Sequence, residues 1–228
     1  MTGIVAVRAG DIVERFAPHA VASYQQAFAH GDALLAAHGI TTPLRLAHFM
    51  AQVLHETGAL TLLVENGRYS AKALGAMWDA GNWHGYFADR AACVQMADRC
   101  RRDQGVALFS LVYGGRLGNG SAGTRDGWTY RGRGILQTTG RAAYATASAR
   151  HGVDFLGEPD LVTSAAHALK PALAQWSDLK CNAAADRNDV AGVTRLINGG
   201  KVGLAERAAW LVRIAPFVTG SPAHGVSS

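Results

Sequence analysis

Residues 42–58 constrain this chain more than any other stretch. Thr42 followed by Pro43 reads as an N-cap and a first-turn proline, so a helix is expected to begin there. Leu46, Phe49, Met50, Val53 and Leu54 then recur at i, i+3, i+4, i+7 and i+8, the stripe of a helix packed on a core. His55-Glu56-Thr57-Gly58 follows, and Gly58 is expected to stop the helix in a left-handed C-cap. A carboxylate at the end of a buried helix is partly desolvated, which raises its pKa and suits it to donate a proton. For Glu56 taken alone, a solvated helix-end glutamate is the plainer alternative.

A second stretch changes that balance. Tyr130-Arg131-Gly132-Arg133-Gly134-Ile135-Leu136-Gln137-Thr138-Thr139-Gly140 packs glycines, arginines, an amide and hydroxyls into eleven positions. His55-Glu56-Thr57-Gly58 together with Tyr130-x-Gly-Arg-Gly-x-x-Gln-x-Thr-Gly resembles the signature pair of family 19 glycoside hydrolases. These are chitinases and the related phage-type endolysins that cut peptidoglycan. Ile197-Asn198-Gly199-Gly200 followed by Glu206-Arg207 resembles the same family's third motif. The matches lie in order across residues 42–215, nearly the whole chain.

Glycoside hydrolysis usually needs two carboxyl groups at the scissile bond. The resemblance makes Glu56 the general acid, and the nearest partner is Glu65, nine residues on. On a continuous helix that spacing turns a side chain by about 900° and carries it ~13 Å up the axis, away from Glu56. If the helix stops at Gly58 and the chain doubles back, the two carboxyls can face each other across a cleft, as the endolysin branch arranges them. The chitinase branch carries its second glutamate farther along, where Asp79 is the available substitute; for Glu65 the alternative is a surface turn residue.

The resemblance assigns further roles. Thr139 matches the family's water-positioning hydroxyl, although a helix N-cap explains the residue equally well. Gln137 matches a sugar-contacting amide, and Thr57 carries a hydroxyl able to steady either carboxylate. Arg133 either ion-pairs with a catalytic carboxylate or anchors its loop, with anchoring favoured. Asn198 is a substrate contact or an ordinary helix stop. Tyr69, Trp128 and Tyr130 stack on sugar rings or fill the core.

Along the chain, helices are expected within 11–39, over 42–58, 70–78, 87–113 with a break at Asp103-Gln104-Gly105, 139–150, 163–178, 188–197 and 203–215. Asn66-Gly67 suits a tight hairpin, and the glycine-dense 114–134 reads as a long functional loop or a small hairpin lobe. The expected fold is mainly α, a two-lobed lysozyme-like helical domain with a small β-hairpin lobe beside the active-site cleft. Residues 1–228 are read as a single catalytic domain with a core of about 8–218, a flexible tail over 219–228 and no separate wall-binding domain.

Composition narrows the function. The net charge of +5 favours polyanionic surroundings, yet the 22 lysines and arginines are scattered apart from Arg99-Arg101-Arg102, and no nucleic-acid motif appears. An anionic bacterial envelope accounts for the charge equally well. No apolar run reaches the ~18 residues of a membrane span, so stable membrane insertion is not expected. The N-terminus, Met1-Thr2-Gly3-Ile4-Val5, shows no secretory signal. Synthesis in the bacterial cytoplasm, with release to the wall through a pore or by lysis, is the matching expectation. Cys93, Cys100 and Cys181 are read as reduced core thiols. His55-Glu56 opens like a zinc-protease motif, but position 59 is alanine, so no metal and no cofactor are expected.

The reading is a monomeric hydrolase of β-1,4-linked peptidoglycan. It rests on the short spacing to Glu65, the missing signal and cystine framework, and the run Tyr113-Gly114-Gly115-Arg116-Leu117-Gly118-Asn119-Gly120, which resembles the endolysin branch. The alternatives are a chitinase on β-1,4-linked N-acetylglucosamine polymers and a wall-binding module without catalysis.

Overall fold

The computed structural model describes residues 7–220; the start read for a leader and nearly all of the expected tail lie outside them. The chain forms two compact units. The first takes residues up to Leu63, Gly134–Leu136 and Leu161 onward; the second takes Val64–Arg133 and Gln137–Asp160.

The first unit is all helix among its described residues, apart from connecting turns. Short helices Ala9–Phe16, Ala22–Ala29 and Asp32–Ala37 replace the one or two expected over 11–39. Its central element is Pro43–Glu56, started as the sequence predicts, with Thr42 Oγ1 accepting from Arg45 N at 3.2 Å. Phe49, Met50 and Val53 are wholly buried and Leu54 almost so. The C-terminal helices Leu169–Asp178, Cys181–Asp186, Val190–Asn198 and Leu204–Thr219 complete this core. Phe49 meets Trp176 edge to face at 5.3 Å, and Arg45 forks onto Asp186 with two 2.6 Å bonds.

The helix ends as expected, with left-handed backbone at Gly58, and the turn runs on past it. Glu56 is its last residue and Thr57 its C-cap; Gly58, Ala59 and Leu60 then all take left-handed backbone, with φ of 54°, 56° and 64°. Two of these carry side chains, each costing roughly 1–2 kcal/mol in that region. Leu60 offsets this by being wholly buried and by accepting at its carbonyl from Val21 N at 3.0 Å.

The second unit holds helices Ala71–Asp79, Arg90–Asp103, Val106–Tyr113, Asp126–Thr129 and Arg141–His151, with a 3₁₀ turn at Ala122–Thr124. The break between Asp103 and Val106 falls where the sequence places it, with φ of 59° at Gln104 and 95° at Gly105. Leu74, Cys93, Cys100, Leu108 and Phe109 form its core, and the three cysteines are unpaired and buried. Helix dominates as expected, but the β element is far smaller. Among the described residues it amounts to two isolated antiparallel bridges, Val64 with Arg133 and Arg133 with Thr138. Asn66-Gly67 is not a hairpin turn. Asn66 Oδ1 accepts from Arg68 N at 2.9 Å, and a Cβ on Gly67 would lie 2.3 Å from Gln104 O. Close backbone approach, not a positive φ, is what requires glycine there.

Candidate active site

Glu56 closes a polar ladder inside the first unit. His48, Gln52 and Glu56 stand four residues apart, so they share one face of the helix. His48 Nε2 pairs with Asn188 Oδ1 at 2.9 Å. Gln52, wholly buried, meets Thr194 Oγ1 at 3.5 Å and accepts from Arg207 Nη1 at 2.5 Å. Arg207 Nη2 donates to Glu56 Oε1 at 2.5 Å. The guanidinium is 1% exposed and the glutamate side chain 22%. Gly203 lets the Arg207 helix begin against His55, because a Cβ there would sit 2.3 Å from His55 Nε2. Burial first, and then the Arg207 charge, lowers the His55 pKa, so that ring is neutral at physiological pH.

Two expected substrate contacts of this unit have partners within the protein. Thr57 is wholly buried; its hydroxyl donates to Val53 O at 2.6 Å and accepts from Leu60 N at 2.8 Å. It fixes the turn after the helix, so neither a sugar nor a carboxylate is its partner. Asn198 ends its helix ahead of Gly199, at φ 75°, and donates to Val202 O at 3.0 Å. That is the helix-stop arm of the expectation.

Glu65 is the centre of the second unit's site. Its backbone N donates to Gly132 O at 2.8 Å, and Gly132 N donates back to Glu65 Oε2 at 3.3 Å. The Tyr113 hydroxyl reaches Oε1 at 3.1 Å and Oε2 at 3.2 Å. Burial pushes the Glu65 pKa up, and Gly132 N–H, Tyr113 and the Arg131 charge offset this only in part. Glu65 is thus a carboxyl whose pKa burial raises, but it lies nine residues past the end of the buried helix, with Tyr113 bonded to both its oxygens.

Gly132 gathers the rest. A Cβ on it would lie 2.5 Å from Gln137 Oε1, 3.2 Å from Thr139 Oγ1 and 3.4 Å from Glu65 Oε2. Three of the side chains singled out in the sequence therefore converge on one backbone atom that carries no side chain. Gln137 achieves its position with a left-handed φ of 52°. Thr139 Oγ1 donates to Gln137 O at 2.8 Å, and the helix that follows is capped by Gly140 instead, so Thr139 is not its N-cap. A carboxylate, a hydroxyl and an amide oxygen gathered at one glycine can hold a water and take its proton.

The neighbouring residues are structural. Arg133 is 5% exposed; it pairs with Asp160 at 2.7 Å and donates to Thr129 O at 2.6 Å and the Tyr144 hydroxyl at 3.3 Å. These partners anchor the loop, as the favoured arm of the expectation has it. Tyr130 is 8% exposed against Tyr144 and donates to Leu156 O at 3.2 Å, so it too is core. Tyr69 stays partly exposed, edge to face with Trp83 at 5.4 Å, and lines a cavity of about 550 Å³ with Arg68, Ser70 and Arg101. Asp79 pairs with Arg90 through bonds of 2.8 and 2.9 Å on the exposed surface. Tyr113 and Arg207 are partners of the glutamates that the sequence does not reveal. They stand 48 and 151 residues away in sequence, and no local pattern marks either pairing.

No family model matches the chain. A Haemophilus influenzae protein described as a glycosyl hydrolase family 19 domain-containing protein is 35% identical over 190 residues, covering 83% of this chain and 86% of the relative. Chitinase C from Streptomyces griseus superposes with a TM-score of 0.55 at 20% identity, over 98% of this chain and 79% of that one. A bacterial family 19 chitinase gives 0.50 at 20% identity, over 96% and 95%. The fold is thus the helical, lysozyme-like fold of those chitinases, and the chain is a glycoside hydrolase acting on a polymeric glycan. It belongs to glycosyl hydrolase family 19.

Proposed function

We propose that this hydrolase cleaves β-1,4 bonds of bacterial peptidoglycan, with Glu56 as general acid and Glu65 as the second carboxylate. The observation that carries the reading is the convergence of Glu65, Thr139 and Gln137 on Gly132. That cluster supplies three oxygens, from Glu65, Thr139 and Gln137, on which an attacking water can be held and to which it can give up its proton. In this reading the protein acts as a monomer, made in the bacterial cytoplasm and meeting the wall after release, and its net charge of +5 draws it to the anionic envelope. Digestion of purified sacculi with mass spectrometry of the products tests it: new reducing ends at one β-1,4 linkage are expected. Chitin oligomers cut efficiently while sacculi stay intact would install a chitinase instead, and wall binding without new ends would leave a module lacking catalysis.

A second assignment of roles has an observation behind it. Glu65 is the carboxyl whose pKa burial raises, as suits a proton donor, whereas Glu56 sits in an ion pair with Arg207. The two assignments separate on a substrate with an acidic aryl leaving group, which departs without a proton. If Glu56 is the acid, Glu56→Gln recovers on that substrate and Glu65→Gln does not; the reverse pattern exchanges the roles.

A further inference from the structure

Two arginines flank Gly132, and they are treated in opposite ways. Arg133 is buried and fully paired. Arg131 is partly exposed, and its guanidinium lies 3.6 Å from the centroid of the Trp128 ring. The guanidinium's one hydrogen bond among the described residues runs from Nη1 to Trp128 O at 2.9 Å, and its Nε is shielded from solvent without a partner. Among the described residues no carboxylate makes an ion pair with it, although the charges of Asp160 and Glu65 act on it. Burial, then the repulsion of Arg133, pushes its pKa down to about 10, so it remains a cation at neutral pH. A guanidinium held rigid against an indole, partly desolvated and short of acceptors, is prepared for an anion.

We propose that Arg131 is a specificity-determining residue that reads a carboxylate on the 3-O-lactyl arm of a muramic sugar bound beside Glu65. This rests on the peptidoglycan reading and sharpens it. Chitin is uncharged and offers the guanidinium nothing but hydroxyls and amides, whereas the lactyl arm ends in a carboxylic acid or, when acylated, in a stem peptide bearing carboxylates. The planar fork matches a carboxylate in two parallel bonds, which an ammonium cannot reproduce.

The test uses the full chain and three matched glycan oligomers of alternating N-acetylglucosamine and N-acetylmuramic acid. One carries free lactyl carboxylates, one carries lactyl methyl amides, and one carries stem peptides. The wild type is expected to cut the free acid or the peptide-bearing oligomer about 10- to 100-fold better, in kcat/KM, than the methyl amide, the scale of one hydrogen-bonded charge. Whichever of the two shows the preference identifies the source of the carboxylate. Arg131→Gln is expected to collapse that ratio to near one, chiefly through KM, and Arg131→Lys to keep part of it. A wild type indifferent to the methyl amide, or an Arg131→Gln variant that loses the same factor on all three, overturns the proposal. If Arg131→Gln fails to fold, the wild-type ratio and the lysine variant still decide it. The peptidoglycan reading fails separately, by no cleavage of any of the three while chitin oligomers are cut.

Discussion

Arg207→Met removes a charge while keeping most of the side chain's volume, and its cost can be worked from the ladder on the Pro43–Glu56 helix. Arg207 is 1% exposed and bonds Gln52 Oε1 and Glu56 Oε1 at 2.5 Å each. Deleting one partner of a buried ion pair costs about 3–5 kcal/mol, because the remaining charge stays desolvated. Glu56 is 22% exposed, so water can partly rehydrate it, which favours the lower end, ~3 kcal/mol. Gln52 is wholly buried and loses its charged donor, adding about 1 kcal/mol. The sum, about 4 kcal/mol, is a large part of the ~5–15 kcal/mol that holds a native protein together. In thermal unfolding it corresponds to a midpoint about 8–16 °C lower, at roughly 2–4 °C per kcal/mol for a chain of this size. Glu56→Gln in the same background completes a double-mutant cycle, and a coupling of about 1–3 kcal/mol is expected between groups in contact. A loss below about 1 kcal/mol for Arg207→Met, or strict additivity in the cycle, would refute the ladder as an energetic unit.

Three further outcomes follow from the same geometry. Gly132→Ala places a methyl 2.5 Å from Gln137 Oε1 and 3.4 Å from Glu65 Oε2, so steady-state turnover should fall at least ~10-fold while the melting temperature changes little. Thr139→Ala should lose more activity than Thr139→Ser, since only the serine keeps an oxygen to hold water; equal losses in a turnover assay would assign the effect to methyl packing. Glu65→Gln should stabilise the protein increasingly as pH rises. Burial holds the folded pKa of Glu65 above its ordinary value of 4.5, so the wild type's proton-linked advantage exists below that value and is lost through the folded pKa. Denaturant unfolding across pH 4–8 reads this directly, and a glutamine advantage that shrinks toward neutral pH would contradict it.

Local chemistry was the legible part of the fold. Thr42-Pro43 and Ser70 start helices in the structure, and Gln104-Gly105 interrupts one, because caps and left-handed turns depend on a few adjacent residues. Cys181–Asp186 is a separate helix that no sequence signal marks, and the glycine-dense 114–134 holds two short helical turns in place of a plain loop or hairpin lobe. The run Ala183-Ala184-Ala185 carries no stripe to mark a helix, while Asn119-Gly120 and Asp126-Gly127 suit several kinds of turn. Asn66-Gly67 misled for a related reason. The pair is compatible with a hairpin, but the backbone of Gln104 and Gly105 presses on Gly67, and that contact is invisible to spacing.

The site shows where sequence reasoning must stop. Thr57, Tyr130 and Arg133 have the hydroxyls and charge of sugar-binding residues, and all three spend them on the protein's own backbone or on Asp160. Arg131, of the same type as Arg133 and two residues away, spends almost none. Nothing in Tyr-Arg-Gly-Arg-Gly distinguishes the two arginines, because alternation along an extended segment fixes only that they share a side, not what waits there. What separates them is tertiary: Asp160, Thr129 O and Tyr144 close around Arg133, while Arg131 meets the face of Trp128 and one carbonyl. A family's motif is therefore a mixture of residues that build the loop and residues that meet the substrate. Hydrogen-bond accounting in the folded chain sorts them, since a buried polar group already satisfied has little left to offer a ligand, and a desolvated cation with a single acceptor has a reason to bind another.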